Sequence, residues 1–254
     1  MAPETERVRD AELRRFLSAR TTWICLAVAL IVVIGFAAVT AYALGTAEKQ
    51  GNGASNLFQT DLIISGIPIA QFVLAVLACL FFPRSPVNTG ATDRVAGTKA
   101  YRCEQFSADA AIVGVASFVI VFVASWIALG LTINSVNSYS RRNAFTLEGI
   151  WTVGGAALAA ALISVMAMAF KALLNNSRNT IIVVVLVFAL AIASSTSSVT
   201  AIQDLHAFLP TVAASAFFSL HPGGPPVMLF AQMIAALAWA FVPSLVARRR
   251  LSKR

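Results

Sequence analysis

Six runs without a single ionised side chain, residues 22–44, 62–82, 110–131, 151–170, 180–199 and 227–247, decide most of what this chain can become. At ~1.5 Å per helical residue, a run of about 20 residues crosses a hydrocarbon layer ~30 Å thick. Hydrophobic residues make up 58% of the 254 and charged residues 12%, more apolar surface than a soluble fold of this length can hide. The expected fold is all-α: a polytopic membrane protein with six transmembrane helices, an N-terminal interfacial helix and a re-entrant outer segment before the last span. A single transmembrane domain is expected over 1–254, divided into the interfacial helix (1–21), the six-span bundle (22–247) and a basic tail (248–254).

Charge placement orients the bundle. With the N-terminus inside, the inner segments hold sixteen Lys and Arg, and the outer loops hold only Lys49, Arg141 and Arg142. Such asymmetry is the positive-inside pattern, and two basic termini on one side require an even number of spans. The expectation is a multi-pass protein of the cell (plasma) membrane with both termini cytoplasmic. The net charge of +8 sits in short clusters beside apolar runs, which suits lipid headgroups better than nucleic acid.

The chain is organised around residues 62–106. The second run empties past Pro83, Pro86 and Gly90 into a polar loop over 83–109, with Arg84, Arg94, Lys99 and Arg102 against Asp93, Glu104 and Asp109. Pro and Gly stop the helix there, and Ser107 is placed to cap the third span with Asp109 in its first turn. Ahead of the first run, Leu13, Phe16 and Leu17 recur at i, i+3 and i+4 among arginines, the pattern of an amphipathic helix on the inner membrane surface. That first run follows a charged head and is too long for a signal h-region, so it is expected to stay in the protein. Residues 207–220 are apolar but too short to cross and contain Pro210, which suggests a dip into the outer leaflet. Gly154, Gly155 and Ala159 place small residues on one face of the fourth span, and residues 194–198 give the fifth a hydrogen-bonding end.

The missing chemistry narrows the function. There is no GxxxxGK[ST] phosphate loop. The runs also lack the buried carboxylates, lysines and histidines of proton-coupled pumps and membrane hydrolases. His206 and His221, with Asp204 as neighbour, fall short of a zinc ligand set, and Cys25, Cys79 and Cys103 show no metal spacing. Neither a catalytic residue, a metal site nor a cofactor is expected. Gln71 in the second span and Gln232 in the sixth are the polar side chains most able to face a substrate pathway or a partner helix.

Three stretches then carry a resemblance: Ser65-Gly66-Ile67-Pro68-Ile69-Ala70-Gln71 at the opening of the second span, Asn88-Thr89-Gly90 in the loop that follows, and Phe208-Leu209-Pro210-Thr211 before the last span. With the overall layout, they resemble the permease (membrane) subunits of type-2 ABC transporters that work as exporters, particularly the actinobacterial ones. The resemblance implies a transport subunit rather than an enzyme: two copies, as homodimer or heterodimer, each holding a separate cytoplasmic ABC ATPase and moving a hydrophobic or amphiphilic substrate outward. It also implies that the loop after the second span docks on the ATPase, through Thr89, Gly90, Asp93, Arg94, Lys99 and Tyr101, with Arg14 and Arg15 as secondary contacts. Pro86 and Val87 stand where relatives carry an acidic pair. A second reading therefore stays open, a non-transporting regulatory or assembly subunit that binds a partner protein.

Overall fold

The computed structural model describes residues 4–49, 66–81, 99–132, 147–196, 200–218 and 226–253. Among them the chain forms nine helices: α1 (Glu4–Ser18), α2 (Arg20–Lys49), α3 (Ile67–Phe81), α4 (Lys99–Thr132), α5 (Leu147–Leu174), α6 (Ser177–Ser195), α7 (Thr200–His206), α8 (Pro210–Ser215) and α9 (Pro226–Lys253). Five contain stretches long and apolar enough to cross a membrane: Arg20–Ala43, Arg102–Leu131, Gly149–Leu174, Ser177–Ser195 and Val227–Ser252. Over the described residues the chain is all-helical, and it is a multi-pass membrane protein. The second expected span is represented by the 15 residues of α3, about 22 Å of helix at 1.5 Å per residue; residues 62–65 and 82 lie outside the described ones.

α5 is the most deeply buried of the five long helices, and α3, α4, α6, α8 and α9 all pack on it. Its sequence explains why. Ala156, Ala157, Ala159, Ala160, Ala167 and Ala169 are all buried, and in a bundle surrounded by lipid such small side chains let neighbouring backbones approach. At Gly155 the approach is closest, since a Cβ there would run into the backbone carbonyl of Phe217, just beyond α8. Gly66 plays the same part at the start of α3, where a Cβ would lie 3.0 Å from Val33 Cα of α2. Between α4 and α5 the core carries a direct polar link, Ser117 Oγ donating to Ser164 Oγ at 2.9 Å. Large apolar side chains such as Ile31, Val39, Leu186, Phe230 and Ile234 face outward, as a lipid-facing surface requires.

Helix ends depart from the expected span limits in instructive ways. α4 starts at Lys99, so residues 99–109 of the expected 83–109 loop are helix. Ser107 is consequently no cap: it lies inside α4 and its Oγ donates to the Cys103 carbonyl at 2.9 Å. Good helix formers (Ala100, Glu104, Gln105) and the burial of Phe106 carry the helix back past it. α5 runs through Lys171 to Leu174 and turns at Asn175, whose φ of 53° is one Asn tolerates better than most residues. Asn176 then caps α6, its side chain accepting from the Arg178 N–H at 3.0 Å. At its far end α6 stops at Ser195 rather than 199. Ser194, Ser195 and Thr196 each bond back to a carbonyl of the preceding turn, the competition by which such side chains weaken a helix end.

Candidate functional site

One end of the bundle gathers α1, the C-termini of α3, α5 and α9, and the N-termini of α4 and α6. α1 has three faces. Val8, Glu12 and Phe16, four residues apart and so on one stripe, are buried against the bundle. Leu13 and Leu17 are exposed, as is Trp23, whose indole N–H donates to the Leu17 carbonyl at 2.7 Å. Asp10 and Arg14 lie on the remaining exposed side. A helix with packed, apolar and charged faces is shaped for a membrane surface.

Arg15 leaves α1 toward the other helices. Its Nη2 donates to the Phe81 carbonyl at 3.1 Å, one of the last carbonyls of α3, which have no partner within their own helix. The guanidinium lies 4.4 Å from the centre of the Phe81 ring, and Phe16 meets that ring edge-on at 4.9 Å. The same Nη2 reaches the two carboxylate oxygens of Asp109 in α4 at 3.5 and 3.4 Å, while Nη1 pairs with Glu12 at 2.8 Å. Gln105 Nε2 donates to the other Glu12 oxygen at 2.7 Å. Asp109 is fully buried, so a carboxylate there, when ionised, depends on this arginine.

A second set of cations closes the same end. Lys171 is buried in the last turn of α5 and its Nζ donates to Ser177 Oγ at 2.6 Å. That hydroxyl donates to the Cys79 carbonyl of α3 at 3.3 Å. Arg250 of α9 donates to the Leu173 carbonyl at 2.6 Å. Three basic residues thus sit at the C-termini of α3 and α5, where the helix dipole favours positive charge. What the arrangement does is tie helix ends together.

The sequence-selected residues fall into three groups. Thr89, Gly90, Asp93 and Arg94 lie outside the described residues, and Lys99 and Tyr101 sit on the first turn of α4. Arg14 is exposed, whereas Arg15 turns inward to the clamp just described. Gln71 is fully buried in α3 and its Nε2 has no hydrogen-bond partner; Gln232 is half-buried on α9. Sequence reasoning missed Glu12, Gln105, Asp109, Lys171 and Ser177. The four-residue spacings 8/12/16 and 105/109 were the available signal for the first three, and nothing local marks the last two. Lys171 falls between the uncharged runs 151–170 and 180–199, yet it is buried because its ammonium finds Ser177.

At the opposite end, His206 closes α7 and its Nδ1 lies 2.8 Å from Ser194 Oγ. His221 is outside the described residues. No protein-family model, no curated protein and no solved structure matches the chain.

Proposed function

We propose that the chain is the membrane-spanning permease subunit of an ATP-driven exporter, moving a hydrophobic or amphiphilic substrate outward while a separate cytoplasmic ATPase hydrolyses the ATP. The observation that carries the reading is Arg15, which joins the end of α3 (Phe81) to α4 (Asp109) on either side of the intervening segment 82–98. A partner that pushes that segment moves α1, α3 and α4 as a unit, and packed interfaces of this kind switch between discrete arrangements rather than deforming smoothly.

In this reading α3 is the second of six crossings, and residues 207–218 re-enter the bundle. Support for the latter comes from Trp239, thirteen residues into α9, or about 20 Å along the helix: its indole N–H donates to the Phe208 carbonyl at 2.9 Å. Both termini are cytoplasmic in the plasma membrane, as the sixteen-to-three charge split favours, and a second permease copy completes the transporter. Gln71 is the pathway residue of choice, because a buried amide donor without a partner gains a bond whenever substrate or a shifted helix offers an acceptor.

The test is to purify the tagged full-length chain from its own membrane in mild detergent and identify stoichiometric partners by mass. An ATPase that co-purifies, and is lost on charge reversal at Arg94 and Lys99, supports the proposal. A chain that emerges alone or with a partner that binds no nucleotide overturns it and leaves the regulatory reading in its place.

A further inference from the structure

Two carboxyl groups share the Arg15 guanidinium. Glu12 is 5% exposed and Asp109 fully buried, and the two are in hydrogen-bond contact with each other. An ionised carboxylate only accepts hydrogen bonds, so two carboxyls in such contact need a proton between them. Charge leads to the same place. Two carboxylates against one guanidinium would bury a net negative charge, and taking up a proton is how a buried carboxyl escapes that cost.

The contacts put the proton on Asp109. Gln105 Nε2 donates to Glu12 Oε1 at 2.7 Å and Arg15 Nη1 stands 2.8 Å from Oε2, the short contacts of a charged acceptor. Arg15 meets Asp109 from a single nitrogen, at 3.5 and 3.4 Å, whereas an ionised pair closes to about 2.7–2.9 Å. Glu12 Oε2 is also a buried acceptor without a hydrogen bond, since Nη1 reaches it at ion-pair distance only. A hydroxyl on Asp109 supplies the missing donor.

The surrounding elements leave this pair to itself. On α1, Arg9, Asp10 and Arg14 are exposed. Cys103 of α4 donates to the Arg248 carbonyl of α9 at 3.5 Å, and Lys171 of α5 donates to Ser177. Cys25 of α2, Cys79 of α3, and Arg102 and Glu104 of α4 lie at the same end. Among the described residues, Glu12 and Arg15 are the charged groups that act on Asp109.

We infer that Glu12 and Asp109 form a proton-binding site, and that the bound proton latches α1 onto α4. When α1 lifts away, both carboxyls meet water and ionise at about pH 4, as carboxylates ordinarily do. The docked state then holds one proton more than the undocked state. Docking is strongest in acid and weakens by about tenfold per pH unit above that range, until the docked pair itself loses its proton. The inference concerns α1 and α4 of this chain alone and stands whether or not the chain transports anything.

The experiment uses the full chain in dodecyl maltoside, a detergent without a carbonyl group. Infrared difference spectra across pH should show the C=O stretch of a buried carboxylic acid at neutral pH, absent in Asp109→Asn. Hydrogen exchange over residues 8–18, expressed relative to the rate of the unfolded segment at each pH, reads the docking of α1. In the wild type this protection should fall about tenfold per unit between about pH 5 and about pH 7, and in Asp109→Asn it should stay level. Glu12→Gln leaves Asp109 alone with Arg15, so the acid band should vanish at lower pH than in the wild type; that shift decides the matter if Asp109→Asn does not fold. An acid band that Asp109→Asn leaves in place or Glu12→Gln does not move overturns the proposal. So does protection of α1 that is independent of pH, or that falls equally in Asp109→Asn.

Discussion

Replacing Arg15 with Met is the most informative single change, because the consequences differ for each of its partners. The i, i+3 pair with Glu12 is worth about 0.3–0.5 kcal/mol. The bond to the Phe81 carbonyl adds about 1 kcal/mol, and the cation over the Phe81 ring about 0.5–1 kcal/mol. The largest part comes from Asp109, fully buried and left without its cation. Stranding a buried carboxylate costs about 3–5 kcal/mol, but the Arg15 side chain is 35% exposed and its Asp109 contacts are long at 3.4–3.5 Å, so about 2 kcal/mol is the better figure with the titration run alkaline enough to ionise Asp109. Arg15→Met should therefore destabilise the protein by about 4 kcal/mol in an SDS titration of the chain in mixed micelles, followed by far-ultraviolet circular dichroism. The decisive comparison is with Arg15→Met/Asp109→Asn. Removing the charge at 109 relieves the stranded carboxylate and should restore about 2 kcal/mol. If the double variant is no more stable than Arg15→Met, within about 0.5 kcal/mol, Asp109 does not depend on Arg15 and the clamp argument fails.

Gly155→Ala should lower the thermal midpoint markedly, because its Cβ would meet the backbone at Phe217, whereas Gly154→Ala, with open space at that position, should be neutral or slightly stabilising as a helix former; equal midpoints for the two would contradict the packing of α8 on α5. Gln71→Leu removes an amide whose Nε2 is unpaired and should stabilise the bundle by about 1 kcal/mol; under the transport reading it should also slow substrate-dependent ATP turnover of the reconstituted complex, and a variant both more stable and fully active would remove Gln71 from the pathway. Ser117→Ala should cost only about 0.6 kcal/mol, the mean for interhelical hydrogen bonds in membranes, and a loss above 2 kcal/mol would mean the Ser117–Ser164 link governs more than a local contact.

Five of the expected spans were legible in the sequence, because burial in lipid demands long uncharged runs and no other force has to be known to read them. Their ends were not. Whether α4 begins at Lys99 or at residue 110 depends on Phe106 finding a place in the core, which no local pattern announces. Lys171 was misplaced for a related reason: hydropathy treats any lysine as the end of a span, whereas here its ammonium is satisfied by Ser177 across the turn. The clamp itself was half visible. Arg15 stood out as a basic residue on an amphipathic helix, but its meaning lies in Asp109, 94 residues away, and only the packing of α1 across α4 brings the two together. The apolar face of α1 was mixed in the same way. Of Leu13, Phe16 and Leu17, only Phe16 turns to the bundle while the leucines stay exposed, since a helix at a membrane surface has two apolar neighbours to satisfy rather than one.

The two ends of α3 are held by opposite kinds of force, and this bears on how the bundle could work. At Gly66 the helix is held by shape, with no room for a Cβ against the backbone of α2. At Phe81 and Cys79 it is held by charge and hydrogen bonds, from Arg15 on one side and the Lys171–Ser177 pair on the other. Close packing among small residues tolerates a change of angle but not a separation, so the Gly66 contact behaves as a pivot. Of the polar contacts, the bond from the partly exposed Arg15 to the Phe81 carbonyl can be exchanged for one to water at little net cost while the Asp109 contact is kept. A force applied beyond Phe81 would therefore swing the clamped end of α3 about its Gly66 end, and Gln71, buried between them, is the polar group whose surroundings such a swing must change. The transport reading needs a lever with one fixed and one releasable end next to a buried polar group, and α3 has both. Replacing Gly66 with Val, which blocks the close approach to Val33, should then impair coupling between ATP hydrolysis and transport more than it impairs binding of an ATPase at the far end; loss of ATPase binding with coupling preserved would show that the pivot lies elsewhere.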